Sequence, residues 1–453
     1  MKRRELKRQL RIRPGSAFVL GLGAVITVGT LALALPAADP SGEPVPLLDA
    51  LFTATSAVCV TGLIVRDTAV DFTPYGQVVI LVLIQLGGLG VMSVAGTVSL
   101  LLGRGIGLRE SSLLRDLFEG QVLRESRQIL RFIVGFTIIA EVLGTAVLYI
   151  GLADSIPARG DRLWHAAFHA VSAFCNAGFS LNSDSLVSQA GDPLVVDAVA
   201  GLIIVGGLGF PVAANLRGWL LGRARAGRSR FRLSVQARIV LLLTVVLLCG
   251  GTMLLAALEW RGAFAGEGIP GKLGLAFFQS ATARTAGFNT MDLANLSGAS
   301  LLLLIVLMCV GAAPGSTAGG IKLTTVAVLW ANLRAIAKGG SAPHLFDREI
   351  GALTVRRSFM ILTTWITTMT VALFVLLVTE GRGLTETLFE TVSAMGTVGL
   401  SLGLTPELSG TGRVMVVLLM FLGRLGPLAV AYGLVRPARE HAVRFAETDL
   451  LVG

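Results

Sequence analysis

Charge is what this sequence has least of. Only 15% of its 453 residues are Asp, Glu, Lys or Arg, against roughly a quarter in soluble domains, and the mean hydropathy is +0.76. Cysteine is scarce as well: Cys59, Cys175, Cys249 and Cys309 form no CxxC pair, so neither a disulfide nor a metal site is expected. Lone cysteines in apolar segments behave as small buried hydrophobes. The histidines His165, His169, His344 and His441 do not converge with acids in a catalytic spacing, which argues against a membrane enzyme. His165 and His169 stand one helical turn apart at the outer end of a short helix, but no cysteine or carboxylate cluster joins them as metal ligands. No GxxxxGK[ST] loop occurs, and no GxGxxG opens a βαβ unit. ATP-driven pumping and an organic cofactor are therefore not expected.

What is present is a series of apolar runs near the roughly 20 residues that cross a bilayer: Ser16–Leu35, Gly76–Leu102, Phe132–Leu152, Leu194–Leu216, Ile239–Leu258 and Phe359–Val378. The reading is an all-α polytopic membrane protein. The net charge of +10 is concentrated in Lys2–Arg13, Arg104–Arg131, Arg223–Arg232, Arg334–Arg357 and Arg436–Arg444. The intervening short loops carry acids, among them Asp39, Glu43, Asp67, Asp184, Glu259, Glu380 and Glu407. This alternation follows the positive-inside rule and puts the N-terminus and basic linkers in the cytoplasm. With no folded extramembrane domain to hold a basic patch, nucleic-acid binding is not expected, and lipid is the surrounding partner. Met1–Ala38 has a basic head and an apolar core like a secretion signal, but the core exceeds the usual 7–15 residues or so, so it is read as a retained span.

One motif recurs four times: "FTATSAVCVTGL" (Phe52–Leu63), "FHAVSAFCNAGF" (Phe168–Phe179), "FQSATARTAGF" (Phe278–Phe288) and "FETVSAMGTVGL" (Phe389–Leu400). Its glycines, Gly62, Gly178, Gly287 and Gly399, are 116, 109 and 112 residues apart, a period suited to repeated membrane modules. The third copy is one residue shorter between its hydroxyl residue and its glycine. Modules are expected at residues 1–105, 106–225, 226–340 and 341–453. Each reads as a long helix, a short half-apolar helix, the glycine-ended segment and a second long helix. The short helices, Leu47–Val58, Leu163–Phe174, Lys272–Ala283 and Leu384–Met395, are about 17 Å long at 1.5 Å per residue and enter the membrane without crossing it.

Extended backbone at that depth is tolerated only where it lines a wet cavity or is buried in protein. Four such hairpins around one axis make a pseudo-fourfold pore. The carbonyls of Val58, Cys59, Val60, Thr61 and Gly62, of Cys175, Asn176, Ala177 and Gly178, of Thr285, Ala286 and Gly287, and of Thr397, Val398 and Gly399 could then replace an ion's water shell. Arg284 is expected to turn away from the axis and brace its segment against a short-helix dipole, and the Asn176 amide to brace backbone. The long run Leu301–Leu333 is interrupted by Gly311, Ala312, Ala313, Pro314, Gly315, Ser316, Thr317, Ala318, Gly319 and Gly320, a composition that sustains no helix at low cost. Corresponding weak points are "IQLGGLG" (Ile84–Gly90), "VGGLGF" (Val205–Phe210) and "FLGRLGP" (Phe421–Pro427). Arg424 lies about midway along the last span, too far from either end to snorkel easily. Glu141 is its possible partner. Lys322 fits a place near the pore as well as one in the inner half of its helix.

Together "AVCVTGL", "FHAVSAFCNAGF", "TARTAGFNT", "TVGLSLGLT" and "GAAPGSTAGGIK" resemble the Trk/Ktr/HKT superfamily of potassium transporters over nearly the whole chain. A single span before the first glycine segment favours the Ktr-type membrane subunit. The resemblance implies eight spans in four helix–pore-loop–helix repeats and a homodimer with one pore per protomer in the plasma membrane. It also implies a cytoplasmic ring of Rossmann-like, nucleotide-binding regulatory subunits. Residues 311–320 become an intramembrane gating loop with Arg424 near it. In plant relatives a serine at the first filter glycine accompanies sodium selectivity; glycine at all four positions implies potassium. Coupled symport with sodium or protons stays open beside channel-like flow.

Overall fold

In the computed structural model, residues 14–101, 126–226, 233–340 and 342–426 are described. The basic stretches Lys2–Arg13 and Arg436–Arg444, most of Arg104–Arg131 and part of Arg223–Arg232 lie outside the described residues, as does Pro427. Helices dominate. In chain order they are α1 (Pro14–Leu33), α2 (Leu47–Cys59), α3 (Pro74–Leu101), α4 (Ser126–Gly151), α5 (Arg159–Cys175), α6 (Pro193–Gly207), α7 (Phe210–Ala226) and α8 (Val235–Glu259). There follow α9 (Ile269–Thr282), α10 (Gly298–Cys309), α11 (Leu323–Ala337), α12 (Ala352–Glu380), α13 (Leu384–Gly396) and α14 (Gly410–Leu425). An antiparallel ribbon pairs β1 (His344–Leu345) with β2 (Arg348–Glu349), His344 opposite Glu349.

By length and apolarity, Leu130–Gly151, Val235–Glu259 and Ala352–Glu380 can each cross a bilayer, and Pro193–Gly207 with Phe210–Leu220 form an apolar pair bent by 95° that is long enough together to do so. The chain is a multi-pass membrane protein. The short helices α2, α5, α9 and α13 have 13, 17, 14 and 13 residues, longer than expected. The greatest excess is in α5, which starts at Arg159 with a polar first turn containing Asp161. His165 and His169 consequently sit within that helix rather than at its end.

In three modules the short helix packs between the two long helices of its own module: α2 with α1 and α3, α5 with α4 and α6, α13 with α12 and α14; in the third module α9 packs on α8. The second long helix then rests on the short helix of the next module. These contacts are α3 on α5, α6 on α9, α10 on α13 and α14 on α2, and the last of them closes the circle. Phe52, Phe168, Phe278 and Phe389, the residues that open the four motifs, are completely buried. They occupy corresponding places in the common core.

Helix starts are fixed by side chains that satisfy otherwise orphaned N–H groups. Ser234 caps α8 through Ala237, and Asp192 caps α6 through Leu194, with Pro193 at the first helical position. In two modules the first long helix supplies part of the cap of the second. Glu259, ending α8, accepts from the Ser297 N–H at 2.9 Å, the Ser297 hydroxyl at 2.6 Å and the Ala263 N–H at 3.1 Å, and also takes the Ser300 hydroxyl. Glu380, ending α12, likewise accepts from the Ser409 N–H at 2.8 Å and hydroxyl at 2.7 Å at the start of α14. Glu259 is 2% exposed, so removing it strands several donors. Glu259→Ala should cost about 2 kcal/mol of stability and Ser297→Ala about 1 kcal/mol, read as thermal unfolding in detergent; equal losses would show that the cap acts through Ser297 alone.

Candidate functional site: a ring of four glycine-ended segments

The four segments share one backbone conformation. Val60, Asn176, Thr285 and Thr397 have φ of 56°, 59°, 77° and 49°, and two residues later Gly62, Gly178, Gly287 and Gly399 have φ of 93°, 71°, 79° and 94°. A positive φ is costly for a β-branched residue, yet Val60, Thr285 and Thr397 all adopt it.

The segments meet at their glycines. A β-carbon built on Gly62 would lie 3.1 Å from Gly178 Cα, on Gly178 3.1 Å from Gly287 Cα, on Gly287 3.0 Å from Gly399 Cα, and on Gly399 3.1 Å from Gly62 Cα. The chain of contacts returns to its start, so the glycines form a closed ring in module order. The same β-carbons on Gly62, Gly178 and Gly287 would lie 2.5, 2.7 and 2.6 Å from the carbonyl oxygens of Ala177, Ala286 and Val398. The carbonyl before each glycine therefore fills the space where its neighbour's side chain would go.

Hydroxyls at the ends of the short helices hold the segments in two ways. Ser56 accepts from the Gly62 N–H and Ser393 from the Gly399 N–H, both at 3.1 Å. Ser172 instead donates to the Phe179 carbonyl at 2.7 Å and Thr282 to the Phe288 carbonyl at 2.8 Å. In both schemes the hydroxyl fastens the residue at or just after the glycine, which also accommodates the shorter third copy. With its nitrogen placed where the surrounding acceptors require it, the Asn176 amide donates to Ile203 O at 3.2 Å and Ala173 O at 3.1 Å. Arg284 is 6% exposed and turns away from the ring, but its partner is the Thr244 hydroxyl of α8 at 3.4 Å rather than a short-helix end.

Above the ring lies a cavity of about 480 Å³ whose wall includes Asp67, Asp184 and Asp292 and no lysine or arginine. Beside it an ionic network joins the first and fourth modules. Arg66 contacts Asp39 at 2.7 Å and Asp49 at 3.2 Å, and Arg413 of α14 contacts Asp49 at 2.5 Å. The Ser41 hydroxyl and N–H, then Arg66, hold the Asp39 carboxyl below its ordinary pKa. A depressed carboxyl pKa means that its contribution persists above the ordinary value and is lost as pH falls through the lowered one.

Below the ring, residues 311–320 run without helix between α10 and α11. Gly311 donates to Ile321 O at 3.0 Å, closing the neck of the loop. Its body reaches other modules. Ala313 donates to Gly207 O at 3.2 Å, Phe210 donates to Gly315 O at 3.1 Å, and the Thr317 hydroxyl donates to Phe174 O at 3.2 Å. Gly319 lies so close to Gly396 and Thr397 that a β-carbon there would strike both. Lys322 donates to Ala318 O at 2.7 Å, so it belongs to the loop's own base. Arg424 donates to the carbonyls of Thr317, in the loop, and of Gly87, in α3. Glu141 is not its partner: the ion pairs among the described residues do not include it, and its Oε1 is buried without a hydrogen bond. Arg424 finds acceptors in backbone freed by non-helical chain, whereas Glu141 faces Gln85 on α3. The expected weak points of the other second helices appear as positive φ at Gly90, Gly209 and Gly426.

Among the described residues no group of three metal-ligating side chains occurs. His169 instead holds His165 O at 2.8 Å and the Ser180 hydroxyl at 2.9 Å. The sequence reading missed the Asp49 network and, although it named His169, the shared buried polar position after each motif's phenylalanine, held by Thr53, His169, Gln279 and Glu390. Aligning the four copies would have exposed the latter.

The cation transport protein family TrkH matches residues 22–436. The chain belongs to this family. The Ktr system potassium uptake protein B of Vibrio alginolyticus is 38% identical over 96% of this chain and 94% of its own length. The Bacillus subtilis protein of the same name is 34% identical over 98% of each, and the potassium/sodium uptake protein NtpJ of Enterococcus hirae is 34% identical over 100% and 99%. The crystal structure of the potassium transporter TrkH from Vibrio parahaemolyticus shares the fold, with a TM-score of 0.72 at 16% identity over 94% of this chain and 86% of that one. TrkH-family membership makes the chain a transporter rather than an enzyme.

Asp49 is 9% exposed and serves two arginines. Asp49→Ala should destabilise by about 2 kcal/mol, less than the roughly 3–5 kcal/mol of a fully buried pair because Arg66 and Arg413 keep some water. Thermal unfolding checks this. An unchanged midpoint would reduce the network to a surface feature.

Proposed function

We propose that the chain is the ion-translocating subunit of a Ktr-type potassium uptake system in the plasma membrane. The observation that carries this is the closed ring of Gly62, Gly178, Gly287 and Gly399 with a carbonyl packed against each neighbour. On this reading the segments 58–62, 175–178, 285–287 and 397–399 are the selectivity filter, whose carbonyls take the place of a potassium ion's water shell. Alternating positive φ brings successive carbonyls toward the same side, and the short-helix C-termini add partial negative charge beneath the ring. The acidic vestibule attracts cations, and the ion's own gradient drives entry.

Residues 311–320 act as the gate. A loop crossing beneath the filter, bonded to the second module through Gly207, Phe210 and Phe174 and held by Arg424, obstructs the exit while it stays in place. Homodimerisation, a cytoplasmic N-terminus and a cytoplasmic ring of nucleotide-binding regulatory subunits complete the proposal. They rest on the Ktr-type resemblance, the relatives' names and the charge pattern. The name of the Enterococcus hirae relative includes sodium, which keeps sodium-coupled symport as a second reading. Reversal potentials in planar bilayers separate the two: channel-like flow reverses at the potassium potential under any sodium gradient, and coupled flow does not.

A serine side chain at Gly62 would meet Ala177 O at a φ of 93°, so Gly62→Ser should lower the potassium-to-sodium permeability ratio about tenfold or more, equivalent to about 1.4 kcal/mol of discrimination. A normal ratio in well-expressed protein would remove Gly62 from the filter.

Arg424 contributes both a charge and two anchoring hydrogen bonds. Unit charges about 5 Å apart repel by roughly 3 kcal/mol at an effective dielectric near 20, so Arg424→Ala should raise potassium flux severalfold in liposomes without the regulatory subunit. Arg424→Lys keeps the charge but loses the fork that reaches two carbonyls, and should fall between. Equal decreases for both, with folding intact, would make Arg424 a packing residue.

A further inference from the structure

Each motif carries a buried polar residue directly after its phenylalanine, and the four differ in kind. Thr53, His169, Gln279 and Glu390 are 1%, 3%, 1% and 0% exposed. In three modules this side chain holds the strand that leaves the glycine. His169 meets the Ser180 hydroxyl at 2.9 Å, and the Gln279 amide donates to the Thr290 hydroxyl at 3.4 Å. Glu390 takes the Ser401 hydroxyl at 2.7 Å on one oxygen and the Thr405 hydroxyl on the other. In the first module Thr53 Oγ1 is buried without a partner, and Ile64 stands where Ser180 and Ser401 stand two residues after their glycines.

Glu390 alone places an acid at this position, and what it holds is the cavity wall. Gly399, Ser401, Gly403 and Thr405 all line the vestibule above the ring. Ser401 in turn accepts from the Gly403 N–H at 3.1 Å, so one carboxyl organises the strand and turn from Gly399 to Thr405. Each carboxyl oxygen is engaged by one hydroxyl, so the acid is held from both sides.

We infer that Glu390 is a positioning and specificity-determining residue for cation entry: from behind the vestibule wall it fixes the fourth strand above Gly399, and through that strand the geometry of the glycine ring. This rests on the filter reading given above. Glu390 does not touch the ion. Its effect passes through Ser401 and Thr405, and it should therefore appear in ion binding at the ring rather than in opening of the loop beneath.

The test is potassium uptake by the full-length protein in liposomes, with apparent affinity, maximal flux and potassium-to-sodium discrimination measured separately. Glu390→Gln keeps the volume but offers one acceptor oxygen where two were used. It should raise the half-saturating potassium concentration about tenfold, lower discrimination, and leave maximal flux within about twofold, a tenfold change being about 1.4 kcal/mol. Thr405→Val, which removes one donor and leaves the acid, should give a shift of about threefold. A fall in maximal flux and thermal stability with unchanged half-saturation would make Glu390 structural only and overturn the inference. If Glu390→Gln does not fold, Thr405→Val decides, and an unchanged half-saturation there overturns it equally. Gly399→Ser runs in parallel. Should it leave discrimination intact, the filter reading itself fails; should it change discrimination while Glu390→Gln changes nothing, only the role of Glu390 fails.

Discussion

The position of four backbone carbonyls against four glycines governs the rest of this structure. Because each glycine's missing side chain is replaced by the neighbouring segment's carbonyl or Cα, no segment can shift without displacing the next. A ring with this property needs its members at one depth. That depth is set by short helices ending at Cys59, Cys175, Thr282 and Gly396. The circular packing of each second long helix on the following short helix supplies the frame.

Such a ring stores conformational strain. Val60, Thr285 and Thr397 are β-branched residues in the left-handed region, a conformation that persists only where the surroundings over-determine it. Here they do: the Ser56 and Ser393 hydroxyls fasten the glycine N–H groups from below, and the Ser172 and Thr282 hydroxyls fasten the carbonyls just beyond. The modules are alike in backbone but not in bracing. Thr53 has no hydrogen-bond partner while Glu390 has two hydroxyl donors, so the pseudo-fourfold site is chemically asymmetric.

Much of this was legible in the residues. Four glycine-ended motifs at a period near 110 residues identify repeated membrane hairpins because apolar length and glycine placement are local properties. The break at residues 311–320 was equally visible, since glycine and proline cannot sustain a helix at low cost. What escaped was pairing at a distance. Asp49 and Arg413 are 364 positions apart, and nothing in the spacing of either points to the other. Glu141 as a partner for Arg424 was the economical guess from charge alone. It fails because non-helical backbone offers carbonyl acceptors at Thr317 and Gly87, and a guanidinium is well satisfied by such oxygens.

That exchange of a carboxylate for carbonyls has a mechanical consequence. An ion pair between Arg424 and Glu141 would have tied α14 to α4, both continuous helices, and left the loop unattached to either. Two carbonyl acceptors instead tie α14 to α3 at Gly87 and to the loop at Thr317, so one side chain spans three modules. Thr317 is also the residue whose hydroxyl reaches the last turn of α5 at Phe174, immediately before the segment that ends in Gly178. On the proposed reading, movement of the loop breaks contacts to a filter-bearing helix and to Arg424 together. The floor and the ring are then joined through one residue, Thr317, which provides a short physical route between gate and filter.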